Sequence, residues 1–577
     1  VGSRGLDPTY ALPSFAGAPM RLVPILVLLL AAVVPSAARP PEPRKAVEAA
    51  NGMVVCVSPP AAEVGVSILK KGGNAVDAAI AVAFAMAVTW PEAGNIGGGG
   101  FMMIAPPGKA PTCVEYRETA PAGAGPTLFA DGSVSAYSHK ASGVPGTIRG
   151  LGLAHARYGK LPWKDVVTPA VELAEKGFKV TDGLAWSIGW VLASPTTTNL
   201  EFHRVYDKPG GGRWEIGDTM KLPDLGRTLR LVAEKGADAF YTGDPADKLA
   251  AEMKAGGGLI TKADIAAYRA KERTPIKTTF RGHDVYGPPP PSSGGTGIAL
   301  MLNILENFDL KKQGRWSPET NHLIIEAMKR SYADRARYLG DPDFTEIPPH
   351  LTTKEYGKKL AAGIDPKKAT PSEKVAPEIP LAGEGTSTTH FSVIDKDGMA
   401  VSNTYTLEHS YGSRVVVKGS GYVLNNEMTD FNPVPGATTR SGQIGTKANL
   451  VGPGKRMLSS QTPTIVLKDG KPVLLTGSPG GRTIINTSLC VVLNVVEFGM
   501  PVQEAVDAPR WHHQWFPDVA RFEGFSAHPE MVQRLVDMGH RVSPSRQGDA
   551  HSIWVDPATG RFHGAADYRI EGKALGF

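Results

Sequence analysis

One segment of the chain is apolar around its whole circumference, namely Ala75 to Val88 (AVDAAIAVAFAMAV). Its length suits a helix, Asn74 can cap the first turn, Asp77 lies in that turn and Pro91 follows the end. A helix without a polar face has no side that is suited to water. The sequence therefore predicts that this helix is buried between other layers of structure.

The composition is typical of a folded protein with many tight turns. Of the 577 residues, 42% are hydrophobic and 20% are charged, which excludes a disordered chain. The 66 glycines and 48 prolines exceed average usage and show no collagen-like period. These features favour a sheet-rich architecture.

Charge, aromatic content and cysteine spacing exclude several classes of function. The net charge of +6 includes no block of like charges and only 7% of residues are aromatic, so no nucleic-acid partner is expected. The three cysteines, Cys56, Cys113 and Cys490, have no CxxC spacing, which indicates neither a disulfide framework nor a zinc site. Small-molecule chemistry without a metal or another cofactor is the preferred interpretation.

A secretory signal is predicted over residues 20–38. Met20 and a basic residue precede the apolar run Leu22 to Val34, which ends in small residues. This run is shorter than the ~20 residues that a membrane-spanning helix needs. We therefore expect a periplasmic or secreted protein with no stable membrane span after signal removal, and we expect residues 1–19 to lie outside the fold.

Beyond the signal, the chain changes character at a polar segment. Amphipathic helical patterns dominate from about Thr147 to Gly363. The stretch Asp365 to Ser387 is rich in Pro, Lys, Glu and Gly and is interpreted as an exposed linker. A β pattern follows it, so this linker divides the chain into a larger first part and a smaller second part.

The residues directly after the linker predict a β-hairpin. Thr388 to Ile394 and Met399 to Leu407 alternate in polarity on either side of the turn Lys396-Asp397-Gly398. With a three-residue loop and Gly398 in the left-handed conformation, Thr388 lies opposite Thr406, at about 5 Å between Cβ atoms. A two-residue Asp-Gly loop would break this pairing.

A second hairpin is predicted from Thr464 to Leu475, with its turn at Lys468-Asp469-Gly470. A glycine-rich segment leads from it into a helix predicted from Arg482 to Val496. Gly480 and Gly481, at the entrance of this helix, can aim backbone N–H groups at a developing oxyanion. An ordinary strand-to-helix turn is the alternative interpretation, and the pattern alone favours it.

Thr388 is a candidate nucleophile because of its position. Cleavage before it would make it an N-terminus, and its α-amino group, with a pKa of about 7.7 to 8.0 in peptides, can act as the base for its own hydroxyl. No histidine is then required. A threonine at the start of a strand is also ordinary on structural grounds, so spacing alone leaves both interpretations open.

Three other motifs are interpreted as structural. Gly97 to Gly100 lack the lysine and helix start of a phosphate-binding loop and predict a tight buried turn. Ser478 lies in TGSPG, which lacks the first glycine of the GxSxG elbow of serine hydrolases. His512 and His513 are adjacent and cannot share one face of a helix or strand, so core hydrogen bonding is favoured over metal ligation.

Nine short motifs, some of which include residues discussed above, follow one another along the chain. They are GGNAVDAA (Gly72 to Ala79), AGNIGGGGFM (Ala93 to Met102), YRETAP (Tyr116 to Pro121), PPPSSGG (Pro289 to Gly295), ADRARYLGDPDF (Ala333 to Phe344), TTHFSV (Thr388 to Val393), LNNEMTDF (Leu424 to Phe431), LSS (Leu458 to Ser460) and GSPGG (Gly477 to Gly481). Together they resemble the γ-glutamyltranspeptidase family of N-terminal-nucleophile hydrolases, over about Asn51 to Phe577.

The resemblance implies an α+β fold, a four-layer αββα sandwich formed jointly by two fragments of one precursor. The precursor is expected to cut itself between Ser387 and Thr388. Residues 39–387 would form a large subunit and residues 388–577 a small catalytic subunit, and the two would remain together as a heterodimer.

The resemblance also implies roles for individual residues. The implied catalytic residues are Thr388 as nucleophile, Thr406 as the hydroxyl that orients it, and Gly480 and Gly481 as the oxyanion hole. The implied ligands of a γ-glutamyl group are Arg117, Ser459 and Ser460 for its α-carboxylate, and Glu427 and Asp430 for its α-ammonium. A guanidinium and hydroxyls suit a carboxylate, whereas paired carboxylates suit an ammonium.

Two residues depart from the family pattern. Glu408 stands where the family usually has an asparagine that helps to bind the α-ammonium, so an extra carboxylate enters the pocket, where it can tighten ammonium binding or raise a neighbouring pKa. Ser441 lies in the loop Pro433 to Gly452, where an aromatic shield is expected. A less shielded site would favour water over amine acceptors.

The implied function is that of a γ-glutamyltransferase and glutathione hydrolase. Its partners would be γ-glutamyl donors such as glutathione, with water, amino acids or peptides as acceptors. Two alternatives stay open: a glutaryl-type acylase of the same superfamily, and an exported homologue that binds amino acids or peptides without turnover. Asp430 argues against the acylase, because a donor without an α-ammonium gives a buried carboxylate no partner.

Overall fold

The computed structural model describes residues 44–376 and 388–577. The predicted signal, residues 1–19 and Ser387 lie outside the described residues. The described chain combines helices and mainly antiparallel sheets, which confirms the predicted α+β class.

The strands and helices are numbered in chain order. The strands are β1 Val47–Ala49, β2 Gly52–Cys56, β3 Gly99–Ala105, β4 Thr112–Glu115, β5 Phe178–Lys179, β6 Thr219–Met220, β7 Lys271–Arg273, β8 Ile276–Phe280, β9 His283–Gly287, β10 Thr389–Asp395, β11 Ala400–Thr406, β12 Thr464–Lys468, β13 Lys471–Thr476, β14 Trp511–His512, β15 Ala520–Phe522, β16 Val542–Pro544, β17 Ser552–Val555, β18 Phe562–Ala565 and β19 Lys573–Gly576. The helices are α1 Pro59–Lys70, α2 Ala75–Thr89, α3 Thr147–Tyr158, α4 Trp163–Lys176, α5 Asp182–Leu192, α6 Leu200–Tyr206, α7 Pro223–Lys235, α8 Asp238–Thr242, α9 Asp244–Ala255, α10 Lys262–Ala267, α11 Gly294–Leu305, α12 Leu310–Gln313, α13 Pro318–Tyr338, α14 Lys354–Ala362, α15 Ser372–Val375, α16 Thr483–Val492, α17 Val502–Asp507 and α18 Pro529–Asp537.

Two seven-stranded antiparallel sheets form the centre of the protein. Sheet I has the strand order β1-β18-β17-β13-β12-β9-β8, and sheet II has the order β19-β2-β10-β11-β3-β4-β7. Each sheet combines strands from before residue 376 with strands from after residue 388. The two parts of the chain therefore share both sheets.

Hydrophobic cores cover both faces of sheet II. In β2, Met53 and Val55 face a core shared with strands of sheet I, whereas Val54 and Cys56 face a core shared with α1 and α2. This alternation follows from the two-residue repeat of a strand. A third core joins the other face of sheet I to α11, α13 and α16.

The prediction of a fully covered helix is confirmed by α2. All of its residues are buried, and Asn74 and Asp77 form a reciprocal capping box at its start. The Asp77 carboxylate also accepts hydrogen bonds from the backbone N–H groups of Lys160 and Leu161, at 3.0 and 3.1 Å. Its charge is thus satisfied although the side chain is buried.

The predicted hairpin after the linker is confirmed, including its register. Strands β10 and β11 pair from Ile394 opposite Ala400 to Thr389 opposite Tyr405. Gly398 has a φ of 82°, in the left-handed region that the three-residue loop requires. The turn chemistry therefore fixes which residues face each other across the two strands.

The second hairpin is also confirmed, and it turns on two residues with positive φ, Asp469 at 50° and Gly470 at 75°. The helix predicted from Arg482 begins one residue later, as α16. It continues into a π-helical turn over Leu493–Glu497.

The prediction of an exposed linker over 365–387 holds for residues 365–368 but not for Ala369, Ser372 and Ala376, which are buried. Ser372 is fully buried because its hydroxyl donates to the carbonyl of Trp515 at 2.6 Å, and the indole N–H of Trp515 donates to the Ser372 carbonyl at 2.8 Å. Ala369 donates its N–H to Met538 at 2.7 Å. These contacts come from residues far along the chain, which local composition does not reveal.

Within residues 44–376 and 388–577, no helix is long and apolar enough to cross a bilayer.

Candidate active site

Thr388 and Thr406 lie at the same end of the β10–β11 pair. One step beyond the last paired residues places Thr388 opposite Thr406, as the loop length predicted. Both threonines line one narrow cavity and are almost fully buried. The backbone N–H of Glu408 donates to Thr406 Oγ1 at 2.8 Å, which fixes the position of that oxygen.

The glycine-rich segment 97–100 approaches the backbone of Thr406. A Cβ atom on Gly98 would lie 2.0 Å from the Thr406 carbonyl oxygen, so only glycine fits there. The Asn95 side chain donates to the same carbonyl at 2.8 Å and accepts from the Gly98 N–H at 2.9 Å. The predicted buried turn is confirmed at Gly97 and Gly98, whereas Gly99 and Gly100 begin β3.

Gly480 and Gly481 form the turn before α16, with φ values of 126° and 55°. Both values lie in the region that favours glycine. Gly481 lines the cavity that contains Thr388, whereas Gly480 is not among the lining residues. The Gly480 carbonyl accepts from the backbone N–H and the hydroxyl of Thr483, at 3.1 and 2.8 Å, which holds the turn in shape.

Arg117 is a fully buried guanidinium surrounded by carboxylates. Its Nη1 lies 2.5 Å from Glu427 Oε2 and 3.5 Å from Glu118 Oε2, and its Nη2 pairs with Asp430. Its Nε donates to the Met457 carbonyl at 3.3 Å. The implied α-carboxylate ligand therefore contacts both of the implied α-ammonium ligands. Of these residues, Arg117 and Asp430 line the cavity, whereas Glu427 is not among the lining residues.

Carboxylates outnumber cations in this part of the site. One oxygen each of Glu408, Glu427 and Asp430 lies within 4.8 Å of the others, close enough to share an ammonium group. Burial raises the pKa of Glu118 to about 8 despite the attraction of Arg117. Burial, and next the charge of Asp430, raises the pKa of Glu408 well above its usual value. The cluster therefore holds protons at neutral pH.

Ser459 and Ser460 both line the cavity, and a neighbouring segment braces their backbone. The N–H and the hydroxyl of Ser293 donate to the Ser459 carbonyl at 2.8 and 2.6 Å. The Ser292 hydroxyl donates to the Gln461 carbonyl at 2.5 Å. The PPPSSGG motif thus acts as a structural support for the LSS motif.

Several residues near the cavity were not predicted as site residues. Gln461 and Arg482 line it, and the side-chain amide of Gln461 has no hydrogen-bond partner among the described residues. Arg335 donates from Nη2 to Ser460 Oγ at 3.1 Å. Gln461 directly follows LSS and Arg335 lies in ADRARYLGDPDF, so the motifs that carried the resemblance contained the signal for both.

The two adjacent histidines form core hydrogen bonds, as predicted. His512 Nδ1 lies 2.8 Å from Asn486 Nδ2 and its Nε2 lies 2.8 Å from Gln514 Oε1. His513 Nε2 lies 3.1 Å from Asp518 Oδ1. Both rings are buried, and Asn486 of α16 also donates to the His513 carbonyl at 3.1 Å, which ties this pair to the start of the helix.

The loop that contains Ser441 lies against the start of α16. Arg482 donates from Nη1 to the Gly442 carbonyl at 3.1 Å, which links this loop to the helix entrance beside the cavity. Ser441 itself is exposed, and its hydroxyl lies 2.6 Å from that of Thr439. A small polar side chain therefore occupies the position where the family pattern led us to expect an aromatic one.

Two solved structures resemble this chain in fold. A crystal structure of cephalosporin acylase from Bacillus halodurans superposes with a TM-score of 0.82 and 28% identity, covering 96% of this chain and 99% of that chain. A structure of γ-glutamyltranspeptidase from Pseudomonas nitroreducens, complexed with L-DON, is 42% identical with a TM-score of 0.51, and covers 55% of this chain and 95% of that chain.

Sequence comparison defines the family. Residues 61–577 match the sequence family described as Gamma-glutamyltranspeptidase. The glutathione hydrolase proenzyme of Escherichia coli (strain K12) is 47% identical over 569 residues, which cover 95% of this chain and 97% of the relative. The chain therefore belongs to the γ-glutamyltranspeptidase family, and the predictions of this family and of an enzyme of this class are confirmed.

The close approach at Gly98 gives a test of how the site is held. Gly98→Ala would displace the Thr406 backbone and so disturb its position relative to Thr388, and we therefore expect kcat to fall by about 100-fold and the free energy of unfolding to fall by about 1–3 kcal/mol. Steady-state kinetics and urea unfolding measure the two effects. Gly123→Ala is the matched control, because nothing lies within 4 Å of its added Cβ. Full kcat in Gly98→Ala would contradict this account.

Proposed function

We propose that the protein cleaves the γ-glutamyl amide bond of glutathione and related donors and passes the γ-glutamyl group to water, an amino acid or a peptide. The observation that carries this proposal is one cavity lined by Thr388, Arg117, Asp430, Ser459 and Ser460. It combines a hydroxyl at the head of a strand with binding groups of both charge signs. Membership of the family supports the same activity.

The proposed nucleophile is Thr388, after cleavage of the bond that joins it to Ser387. Its hydroxyl attacks the γ-carbonyl carbon of the donor while its α-amino group accepts the hydroxyl proton. The amine leaves with that proton, and a γ-glutamyl ester on Thr388 remains until an acceptor attacks it. Thr406 orients the nucleophile, and the N–H groups of Gly480 and Gly481 stabilise the oxyanion.

The proposed donor site exchanges one set of ion pairs for another. The α-carboxylate of the donor would replace Asp430 and Glu427 as the partner of Arg117, with Ser459 and Ser460 as further donors. The α-ammonium would then bind the released carboxylates together with Glu408. A zwitterion can therefore enter without leaving a buried charge unpaired, which would be costly.

The proposed mature form is a heterodimer of residues 39–387 and 388–577, folded as a four-layer αββα sandwich. The three hydrophobic cores and the two shared sheets support this architecture. The solved γ-glutamyltranspeptidase chain matches 55% of the 577 residues, or about 317, whereas the proposed large subunit has 349. We also propose export, on the signal pattern over residues 20–38.

A second candidate function is that of a glutaryl-type acylase. The likeness in fold to cephalosporin acylase favours it, since this likeness spans nearly the whole chain. Glu427 and Asp430 argue against it, because a glutaryl group carries no ammonium to neutralise buried carboxylates. A non-catalytic binding protein is the third candidate, and turnover that depends on Thr388 would exclude it.

Processing is the first test of the proposed nucleophile. We expect purified protein to consist of two fragments, the lighter beginning at Thr388 with 190 residues and a mass of roughly 20 kDa. Thr388→Ala removes the attacking hydroxyl, so we expect one uncut chain without activity, whereas Thr388→Ser keeps a hydroxyl and should still be cut. Intact-mass spectrometry measures this. An active protein with an unbroken chain would overturn the mechanism.

Donor choice separates the first two candidate functions. We expect kcat/KM for a γ-glutamyl anilide to exceed that for the matching glutaryl anilide by at least about 100-fold, because only the first supplies an ammonium. Asp430→Asn removes one of the charges that reject glutaryl, so this ratio should shrink. Equal rates on both anilides in the unmodified protein would instead favour the acylase.

The crowded carboxylates predict a pH dependence of donor binding. The raised pKa values mean that the cluster gains protons as the pH falls through about 8, where Glu118 titrates. Protonation weakens the attraction for an ammonium, so KM should rise by up to about tenfold per unit from pH 8.5 to about pH 6.5. Glu408 interacts electrostatically with Asp430, Arg117, Glu118 and Arg335, and its pKa is raised in the same direction, so removal of its charge should change this rise.

Glu408→Gln provides the matched variant for this pH test. Its side chain keeps the size but cannot ionise, so KM should change less steeply with pH than in the unmodified protein. KM is the suitable quantity because kcat also reflects the Thr388 amine. Parallel KM profiles for the two proteins would exclude a role for Glu408 in donor binding.

A further inference from the structure

Arg335 lies on the last turn of α13 and contacts residues of the cavity wall. Its Nη2 donates to Ser460 Oγ at 3.1 Å and its Nε donates to Ser293 Oγ at 3.0 Å. The residue is only 8% exposed. It thus contacts one serine that lines the cavity and one serine that supports the cavity wall.

We propose that Arg335 is a positioning residue for donor recognition: it aims the Ser460 hydroxyl at the α-carboxylate and adds a second buried positive charge behind it. This proposal rests on the proposed function. It assigns to Arg335 no contact with the substrate, and it distinguishes Arg335 from Arg117, which lines the cavity itself.

The hydrogen-bond inventory of the two serines supports the aiming role. A serine hydroxyl has one hydrogen to donate and two lone pairs that accept. The Ser293 hydrogen is used by the Ser459 carbonyl, so Arg335 occupies an acceptor position of Ser293. Arg335 likewise occupies an acceptor position of Ser460, whose own hydrogen must then point away from the guanidinium. Since Ser460 lines the cavity, its hydrogen can be donated to an anionic ligand there.

Arg335 differs from the neighbouring arginines of α13 in how its charge is compensated. Arg330 pairs with Glu326 at 2.5 Å and Arg337 pairs with Asp334 at 2.7 Å. Arg335 forms no ion pair with a carboxylate in the described ranges 44–376 and 388–577. The carboxylates whose charges act on it are Asp430 and Glu408, which both line the cavity.

An unpaired buried cation is unfavourable unless another group compensates it. A carboxylate that accepts from Ser460 would lie one hydrogen bond away from the guanidinium and would provide that compensation. The two observations therefore point to one ligand chemistry, an anionic group bound at Ser460. The α-carboxylate is the only permanent anion in the γ-glutamyl part of the donor, so it is the group that Arg335 would help to select.

The test compares donors that differ only in this group. We expect Arg335→Gln to raise KM for a γ-glutamyl anilide by about 10-fold to 100-fold with kcat changed by less than about threefold. For the 4-aminobutanoyl anilide, which lacks the α-carboxylate, KM should stay within about twofold. The inhibition constants of L-glutamate and 4-aminobutanoate make the same comparison independently of turnover.

Matched variants separate positioning from general damage. Arg335→Lys keeps the charge but not the forked geometry, so it should restore part of the affinity. Arg337→Gln, two residues further along α13, should leave both donors within about twofold of the unmodified protein. The double variant Arg335→Gln with Ser460→Ala should bind the γ-glutamyl donor about as weakly as the weaker single variant, because both substitutions remove one interaction.

Three outcomes would overturn the proposal: an equal loss of affinity for both donors, a change confined to kcat, or fully additive effects in the double variant. Intact mass and thermal unfolding are measured on every variant. If Arg335→Gln does not mature, Arg335→Lys decides, since it keeps the buried charge. An unmodified protein that consumes no γ-glutamyl anilide would overturn the proposed function instead. If the unmodified protein is active and the Arg335 variants have an unchanged KM for the γ-glutamyl anilide, only this inference is overturned.

Discussion

The hydrogen-bonded ladder between β10 and β11 is the constraint on which the rest of the structure depends. Both strands lie inside sheet II and are buried on both faces, so a slip of one residue would turn every side chain to the wrong core. The left-handed Gly398 fixes the loop length and hence the register. Thr388 meets Thr406 only in this register, and the glycines of residues 97–100 then hold the Thr406 backbone from the other side.

A shortage of positive charge determines the chemistry of the donor pocket. Arg117 alone contacts Glu118, Glu427 and Asp430, and its own field cannot keep all of them ionised against burial. A pocket of this kind is poorly suited to a ligand with one charge. A ligand that brings one charge of each sign would leave the balance unchanged, as the proposed donor site requires.

Sequence reasoning succeeded where the signal is local. The buried helix α2, the turn at Gly398 and the pairing of Thr388 with Thr406 all follow from patterns within about 20 residues. The family motifs supplied Arg117, Asp430, Ser459, Ser460 and Gly481 of the cavity lining, but not Gln461, Arg482 or Ile484. Sequence reasoning failed for Ser372, because the partner that buries it, Trp515, is distant in sequence. Arg335 and Glu118 both lie within family motifs, but the proposed role of Arg335 and the shifted pKa of Glu118 depend on three-dimensional neighbours that the motifs do not show.

The strand order of sheet II governs how such a molecule can be assembled. Strand β2 lies between β19 and β10, so a segment from early in the chain is inserted between two from late in it. Fragments produced by a cut before Thr388 would be interwoven and could not separate like two docked subunits. Maturation would then be irreversible in practice. The strands would have to form both sheets while the polypeptide is intact. Two denatured fragments, no longer covalently linked, would lose more entropy in reaching the same strand order.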